Sequence, residues 1–110
     1  MQTMNSFLTT DVRLPNGTMP KPAYSYDAKK NRYSGGKASS MTEIEAMSLC
    51  LRDLNKSIAA SCAGRSPKTP ARPWEIACRE TFETGINLLA SAVGLSPAEA
   101  ELKYVRGGIQ

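Results

Sequence analysis

The fold is decided by residues 41–93, which read MTEIEAMSLCLRDLNKSIAASCAGRSPKTPARPWEIACRETFETGINLLASAV. Apolar residues recur there at spacings of three and four, the period of one helical face, on both sides of a basic loop that contains prolines. They are Ile44, Met47, Leu51, Leu54 and Ile58 before the loop, and Trp74, Cys78, Phe82, Ile86, Leu89 and Val93 after it. The pattern predicts two amphipathic helices in an antiparallel hairpin, and therefore a mainly α fold.

The ends of the first helix are indicated by capping residues. Ser40 and Glu43 have the spacing of a capping box, which predicts a start near residue 41. Thr42 and Glu45 offer an alternative start two residues later. Gly64 can adopt the left-handed conformation that ends a helix, so we expect the last helical turn near residue 63.

The start of the second helix is predicted only to within a few residues. A glycine lies in its interior. Proline is tolerated in a first helical turn, so the start is expected between Pro70 and Trp74. Gly85 costs a helix about 1 kcal/mol relative to alanine. Its presence indicates either that another backbone comes close or that a small defect is tolerated.

A short third helix is predicted after Gly94. Ser96 and Pro97 are an N-cap and a first-position proline, and the helix should run to about Val105. Leu102 and Val105 are expected to dock it on the hairpin.

Residues 1–40, here called the N-terminal arm, differ in composition from residues 41–110, which we interpret as the helical domain. The arm contains six basic and two acidic residues, and this excess of positive charge equals the net charge of +4 of the whole chain. Prolines and glycines predict an extended or irregular arm with little core of its own. A short hairpin is possible, with a strand over residues 7–14, a turn at residues 15–18 and an extended segment over residues 23–26. We therefore expect the helices to fold without residues 1–35.

Two groups of residues are candidates for ligand binding. Tyrosines interleave with cations in the arm, a mixture that suits stacking on bases and neutralising phosphate; these candidates are Tyr24, Tyr26, Lys29, Lys30 and Arg32. The loop between the helices adds Arg65, Lys68 and Arg72 beside a helix N-terminus, which favours anions. The alternatives are a solvated basic linker in the arm and a loop whose charges only keep it soluble.

Enzyme activity is the least favoured class, because the chain has no histidine, the commonest general base. The three cysteines are expected to be small core residues, and neither a metal nor another cofactor is predicted. No apolar run is long enough to span a bilayer and no signal peptide is evident, which predicts a cytoplasmic protein that does not enter membranes. The small core predicts self-association or an obligate partner.

One resemblance covers about half of the chain. The aromatic and basic arm, the proline-containing loop and a second helix that bears Phe82-Glu83 followed by Ala90, Ala92 and Val93 resemble the helical-hairpin domain of phage proteins that sequester cyclic-nucleotide immune signals. The resemblance implies a multimeric protein that binds its ligand between protomers without catalysis. It identifies no individual ligand-binding residue.

We therefore expect a non-catalytic, oligomeric binding protein of a phage or other mobile element that holds a phosphate-bearing ligand such as a signalling nucleotide. The alternatives are an adaptor or inhibitor that binds a host protein, and an accessory protein that binds nucleic acid. Salt dependence separates the two phosphate-binding functions from the protein-binding one, because phosphate contacts weaken steeply with ionic strength and apolar contacts do not.

Overall fold

The computed structural model describes residues 2–14, 17, 19, 21–36, 38–64, 66, 68 and 70–107, apart from the side chains of residues 61 and 62. The described residues form a mainly α structure with one small antiparallel sheet. In chain order its elements are α1 (Met4–Thr9), β1 (Ser25–Asp27), β2 (Arg32–Gly35), β3 (Ala38–Met41), α2 (Glu43–Cys62), α3 (Pro73–Val93), α4 (Pro97–Ala100) and a terminal π-helix (Glu101–Arg106).

The two long helices of the predicted hairpin are present as α2 and α3. They run antiparallel, because Leu51 in the middle of α2 meets Gly85 of α3, while Ile58 further along α2 borders one cavity with Phe82, which precedes Gly85. The predicted stripe of α2 from Met47 to Ile58 is buried within the single chain. This stripe therefore needs no second copy to cover it, and it no longer argues for self-association.

The first of these helices begins at the later of the two predicted starts. Thr42 is the N-cap: its hydroxyl accepts from the backbone N–H of Glu45 at 3.1 Å, and the Glu45 carboxylate accepts from the N–H of Thr42 at 3.0 Å. The start at Ser40 is wrong, because Ser40 lies in β3 and has a left-handed φ of 56°.

The other predicted helix ends agree with the structure. Gly64 and Gly94 have left-handed φ angles of 74° and 72° just beyond α2 and α3. The first residue of α3 is Pro73, inside the predicted interval, with Arg72 as its N-cap.

The third helix starts at the predicted cap but changes its winding. Ser96 and Glu99 form a capping box at the start of α4, and the chain then continues as the π-helix. Val105 is buried as expected, whereas Leu102 is 64% exposed, so its predicted docking role is wrong. The wider π turn changes the angle between residues three apart, so these two side chains no longer share a face.

The beginning of the N-terminal arm is helical, and the strand predicted over residues 7–14 is wrong. The hydroxyl of Thr3 caps α1 by accepting from the N–H of Ser6 at 3.0 Å. The chain does reverse direction as predicted, since the N–H of Val12 donates to the carbonyl of Lys21 at 2.8 Å in an antiparallel bridge. Residues 15, 16 and 18 of the predicted turn lie outside the described residues.

The arm also supplies part of the core, which corrects the expectation that it would contribute little. Phe7 is 3% exposed and Leu8 is fully buried, and both belong to one apolar cluster with the stripes of α2 and α3. Tyr24 and Tyr33 join the same cluster from the sheet region. The arm has few apolar residues, but its short elements direct four of them into the helical core.

Gly85 explains how α1 reaches this core. A Cβ built at this glycine would lie 2.5 Å from Cδ2 of Leu51 and 2.8 Å from Cζ of Phe7. The close approach inferred from the sequence is therefore real, but side chains make it rather than a second backbone. We call this three-residue contact the glycine notch.

We expect Gly85→Ala to destabilise the protein by about 1–3 kcal/mol, the usual cost of overpacking a filled core, even though alanine is the better helix former. Urea unfolding of both proteins measures the difference. Asn87→Ala, on the exposed side of the same helix, is the control and should be neutral or slightly stabilising. A Gly85→Ala variant more stable than the parent would contradict the close packing at the notch.

Candidate functional site

The predicted residues of the arm fall mainly on one β-hairpin formed by β1 and β2. Tyr26 pairs with Tyr33 and Asp27 with Arg32 across the two strands. The Asp27 carboxylate closes the turn by accepting from the backbone N–H groups of Lys29 at 3.0 Å and Lys30 at 3.4 Å. An aspartate that holds the turn in this way explains why a basic, glycine-poor segment forms an ordered hairpin.

The turn and the first residue of β2 carry three exposed cations. The side chains of Lys29, Lys30 and Arg32 are exposed, and in the described part of the chain no ion pair joins any of them to a carboxylate. The one acid of the turn, Asp27, is already engaged by backbone N–H groups. We call Lys29, Lys30 and Arg32, together with Tyr26, the basic tip.

Tyr26 is the accessible aromatic residue of the basic tip. It is 39% exposed, and its hydroxyl donates to Oδ1 of Asn31 at 2.9 Å. Its ring centroid lies 4.6 Å from that of Tyr33, with 35° between the ring planes. Stacking and a hydrogen bond therefore limit the orientation of an aromatic ring that still reaches solvent.

Tyr33 fixes the hairpin to the helices. Its hydroxyl accepts from Nδ2 of Asn5 in α1 at 2.7 Å and donates to Oε2 of Glu43 at the start of α2, 3.2 Å away. The ring is buried, and burial raises the pKa of the phenol. The buried Tyr33 side chain therefore anchors the hairpin that carries the basic tip to two helices.

Tyr24 was predicted as a stacking residue, but the structure places it in the core. Its ring lies so close to Gly35 that a Cβ there would come within 2.5 Å of Tyr24 Cδ2. The side chain is 8% exposed, and burial raises the pKa of its hydroxyl. The alternation of tyrosines and cations could not show that only one of these rings faces solvent.

The loop residues predicted as a second anion site are less available. Arg65 lies outside the described residues, and Lys68 is exposed with its backbone N–H donating to the Ser66 hydroxyl at 3.2 Å. Nε of Arg72 lies 2.6 Å from Oε1 of Glu75, a carboxylate that is only 2% exposed. Arg72 therefore neutralises a buried acid in the first turn of α3. Because the loop itself contains no acid, its sequence did not indicate this partner.

Lys21, one of the six basic residues of the arm, has a structural role and is not exposed to solvent. It is 1% exposed, and its ammonium donates to the carbonyls of Thr10 at 2.5 Å, Pro22 at 3.3 Å and Leu8 at 3.4 Å. It also lies 5.1 Å from the centroid of the Phe7 ring. Burial lowers the pKa of this lysine. Lys21 thus ties the end of α1 to the following extended segment.

The described residues contain neither a cluster suited to a metal ion nor a membrane-spanning helix. No cluster of cysteine, aspartate or glutamate suited to holding a metal ion is found among them. Within the same part of the chain, no helix combines the length and apolar character needed to cross a bilayer.

Comparison of the chain with protein-family models, curated proteins and solved structures finds no match.

The buried thiol of Cys50 makes stability depend on pH. Burial raises its pKa from 9.0 to about 11, against the opposing effect of the nearby Lys21 ammonium. Between these values the native state retains a proton that the unfolded chain has lost, so this contribution is complete below pH 9.0 and falls toward pH 11. The expected slope is at most about 1.4 kcal/mol per pH unit.

Urea unfolding above pH 8, in the parent and in Cys50→Ala, measures this slope, which should be shallower in the variant. The raised pKa of buried Tyr24 also makes stability fall as the pH rises, whereas the lowered pKa of buried Lys21 makes stability rise with pH. Leu54→Ala is the control, because it opens a cavity without removing a titrating group. The same slope in the parent and in Cys50→Ala would show that the thiol makes no contribution.

Proposed function

We propose that this protein is a non-catalytic binding protein that holds a phosphate-bearing ligand at its basic tip. The observation that supports this most strongly is the presence of three exposed cations and an exposed tyrosine ring on one anchored hairpin. Cations neutralise phosphates, and an aromatic ring on the same hairpin can stack on a base. No general base is required for such a role.

The shape of the basic tip favours a strand of nucleic acid over an enclosed small nucleotide. The cations lie on an exposed turn and on the first residue of β2, so successive phosphates of an extended strand can contact Lys29, Lys30 and Arg32. A single-stranded segment is preferred, because its unpaired bases are free to stack on Tyr26. A signalling nucleotide remains the second phosphate-bearing candidate, and a second copy of the chain would then have to supply the other wall of its site.

A cytoplasmic location and self-association belong to the same proposal. Self-association would have to use a surface other than the stripe of α2, which is already buried within the chain. An origin in a phage or other mobile element rests on the resemblance to proteins that sequester immune signals.

The second candidate function is an adaptor or inhibitor that binds a host protein. It is favoured by one feature, an open groove at the C-terminal end lined by Leu95 and by Leu102, which is 64% exposed. Such a groove would bind a partner through apolar contacts that change little with salt.

The test is the triple variant Lys29→Gln, Lys30→Gln, Arg32→Gln, with a fluorescent oligothymidylate as the ligand. Binding should weaken, and the slope of log affinity against log salt should become less steep by about 2, since each lost phosphate contact on a single strand contributes about 0.7. Stability should change by less than about 0.5 kcal/mol, because the three side chains are exposed.

The matched control removes three cations elsewhere, with Arg13→Gln, Lys56→Gln and Lys103→Gln. It should retain most of the affinity that the tip variant loses. Tyr26→Ala and Tyr26→Phe separate stacking from hydrogen bonding, since phenylalanine keeps the ring and loses only the bond to Asn31. Equal binding by the parent and the tip variant would reject the basic tip as the site. Retention of a labelled cyclic dinucleotide but not of the oligonucleotide would support the small-nucleotide form.

A further inference from the structure

A cavity of about 410 Å³ lies where α2, α3 and the π-helix meet. Its volume falls within the range of roughly 300–1,000 Å³ that is usual for small-molecule sites. Ile58 and Phe82, both almost completely buried, supply its apolar floor. None of its lining residues belongs to the basic tip, so this is a separate place in the molecule.

The rim of the cavity carries both signs of charge. Glu83 of α3 lines it with an exposed carboxylate that forms no ion pair with the described residues. Arg106 lines it from the π-helix, with its Nε paired to Oε2 of Glu101. The other guanidinium N–H groups of Arg106 remain as potential donors to a second acceptor.

The π winding places the ion pair between Glu101 and Arg106 at the rim. In an α-helix, residues five apart lie about 140° apart around the axis and do not meet. Here Glu101 and Arg106 are five apart and are paired, and the N–H of Gly107 donates to the carbonyl of Leu102 in the i to i+5 pattern, at 2.6 Å. Short π segments occur frequently at functional sites.

The π-helix is held firmly enough to form a defined wall. Nε of Arg52 in α2 donates to the carbonyl of Tyr104 at 3.0 Å, and Val105 is 3% exposed. Across the cavity, the half-buried side-chain amide of Asn55 forms no hydrogen bond with the described residues. This amide can donate to one polar group of a ligand and accept from another.

We propose that this cavity, hereafter the helix cavity, binds a small zwitterion with an apolar side group, of which a free α-amino acid is the simplest example. The ligand's ammonium lies against Glu83, its carboxylate against the guanidinium of Arg106, and its side group on Ile58 and Phe82. The lining carries two arginines, Arg79 and Arg106, and two glutamates, Glu83 and Glu101. These charges balance, so a zwitterion with no net charge fits the rim better than a purely anionic ligand such as a nucleotide. The basic tip takes no part in this binding.

The test titrates the full-length protein with L-leucine and L-phenylalanine, by calorimetry and by the chemical shifts of Phe82. Two close analogues each remove one charge: N-acetyl-L-leucine has no ammonium, and L-leucinamide has no carboxylate. Each analogue should bind at least about tenfold more weakly than L-leucine, because a charge-assisted hydrogen bond is lost. Adenosine monophosphate is included as the purely anionic probe.

Glu83→Gln should weaken L-leucine binding by about tenfold or more and should leave N-acetyl-L-leucine, which has no ammonium, and L-leucine with more similar affinities than in the parent. Glu80→Gln, an exposed carboxylate on the same helix that does not line the helix cavity, is the matched control and should bind like the parent. Both residues are exposed, so both variants are expected to fold.

Three results would overturn the proposal: no shift of Phe82 with either amino acid at millimolar concentration, equal binding of L-leucine and N-acetyl-L-leucine, or tighter binding of adenosine monophosphate. Oligonucleotide binding by the basic tip should be the same with and without L-leucine, so failure at one site is distinguishable from failure at the other.

Discussion

The structure depends on one steric constraint, the absence of a side chain at Gly85. This absence lets Phe7 from α1 and Leu51 from α2 occupy the same notch on α3. A Cβ at that position would push the side chains of Phe7 and Leu51 away and would loosen the packing of α1 against the hairpin. The cost of a glycine inside a helix, about 1 kcal/mol, is offset by burial of the nearly inaccessible Phe7 ring, worth roughly 1.5–3 kcal/mol.

The same contact determines how the charged surface is presented. Once α1 is docked, Asn5 reaches the hydroxyl of Tyr33, and Lys21 binds the carbonyl groups at the end of α1. The hairpin that bears Lys29, Lys30 and Arg32 is therefore attached to the helical core. Cations on an anchored support lose less conformational freedom on binding than cations on a disordered tail, which favours a specific binding surface over a solvated linker.

The helical part was predictable from the sequence because its signals are local: an apolar period of three to four, and glycines such as Gly94 just beyond a helix end. The structure of the arm was not predictable from the sequence, because it depends on residues far away in the chain. Leu8 reads equally well as part of a strand or of a short helix, and only packing on α2 and α3 decides. The burial of Lys21 depends on backbone carbonyls up to 13 residues away in the chain. The exposure of Leu102 depends on a π turn, which has no clear sequence signature. For the candidate site, composition identified Tyr26 and its neighbouring cations, but it could not distinguish the exposed ring from the buried ones.

The most direct test of a single core shared by the arm and the helices is unfolding of the chain without residues 1–35, followed by circular dichroism and by fluorescence of the single tryptophan, Trp74. Removal of these residues would expose the surface that Phe7, Leu8 and Tyr24 cover. The truncated chain should lose cooperative unfolding, or lose at least about 3 kcal/mol of stability, as expected when large core side chains are removed. A cooperative transition with the midpoint of the full-length protein would contradict the shared core and would make residues 1–40 a separate arm.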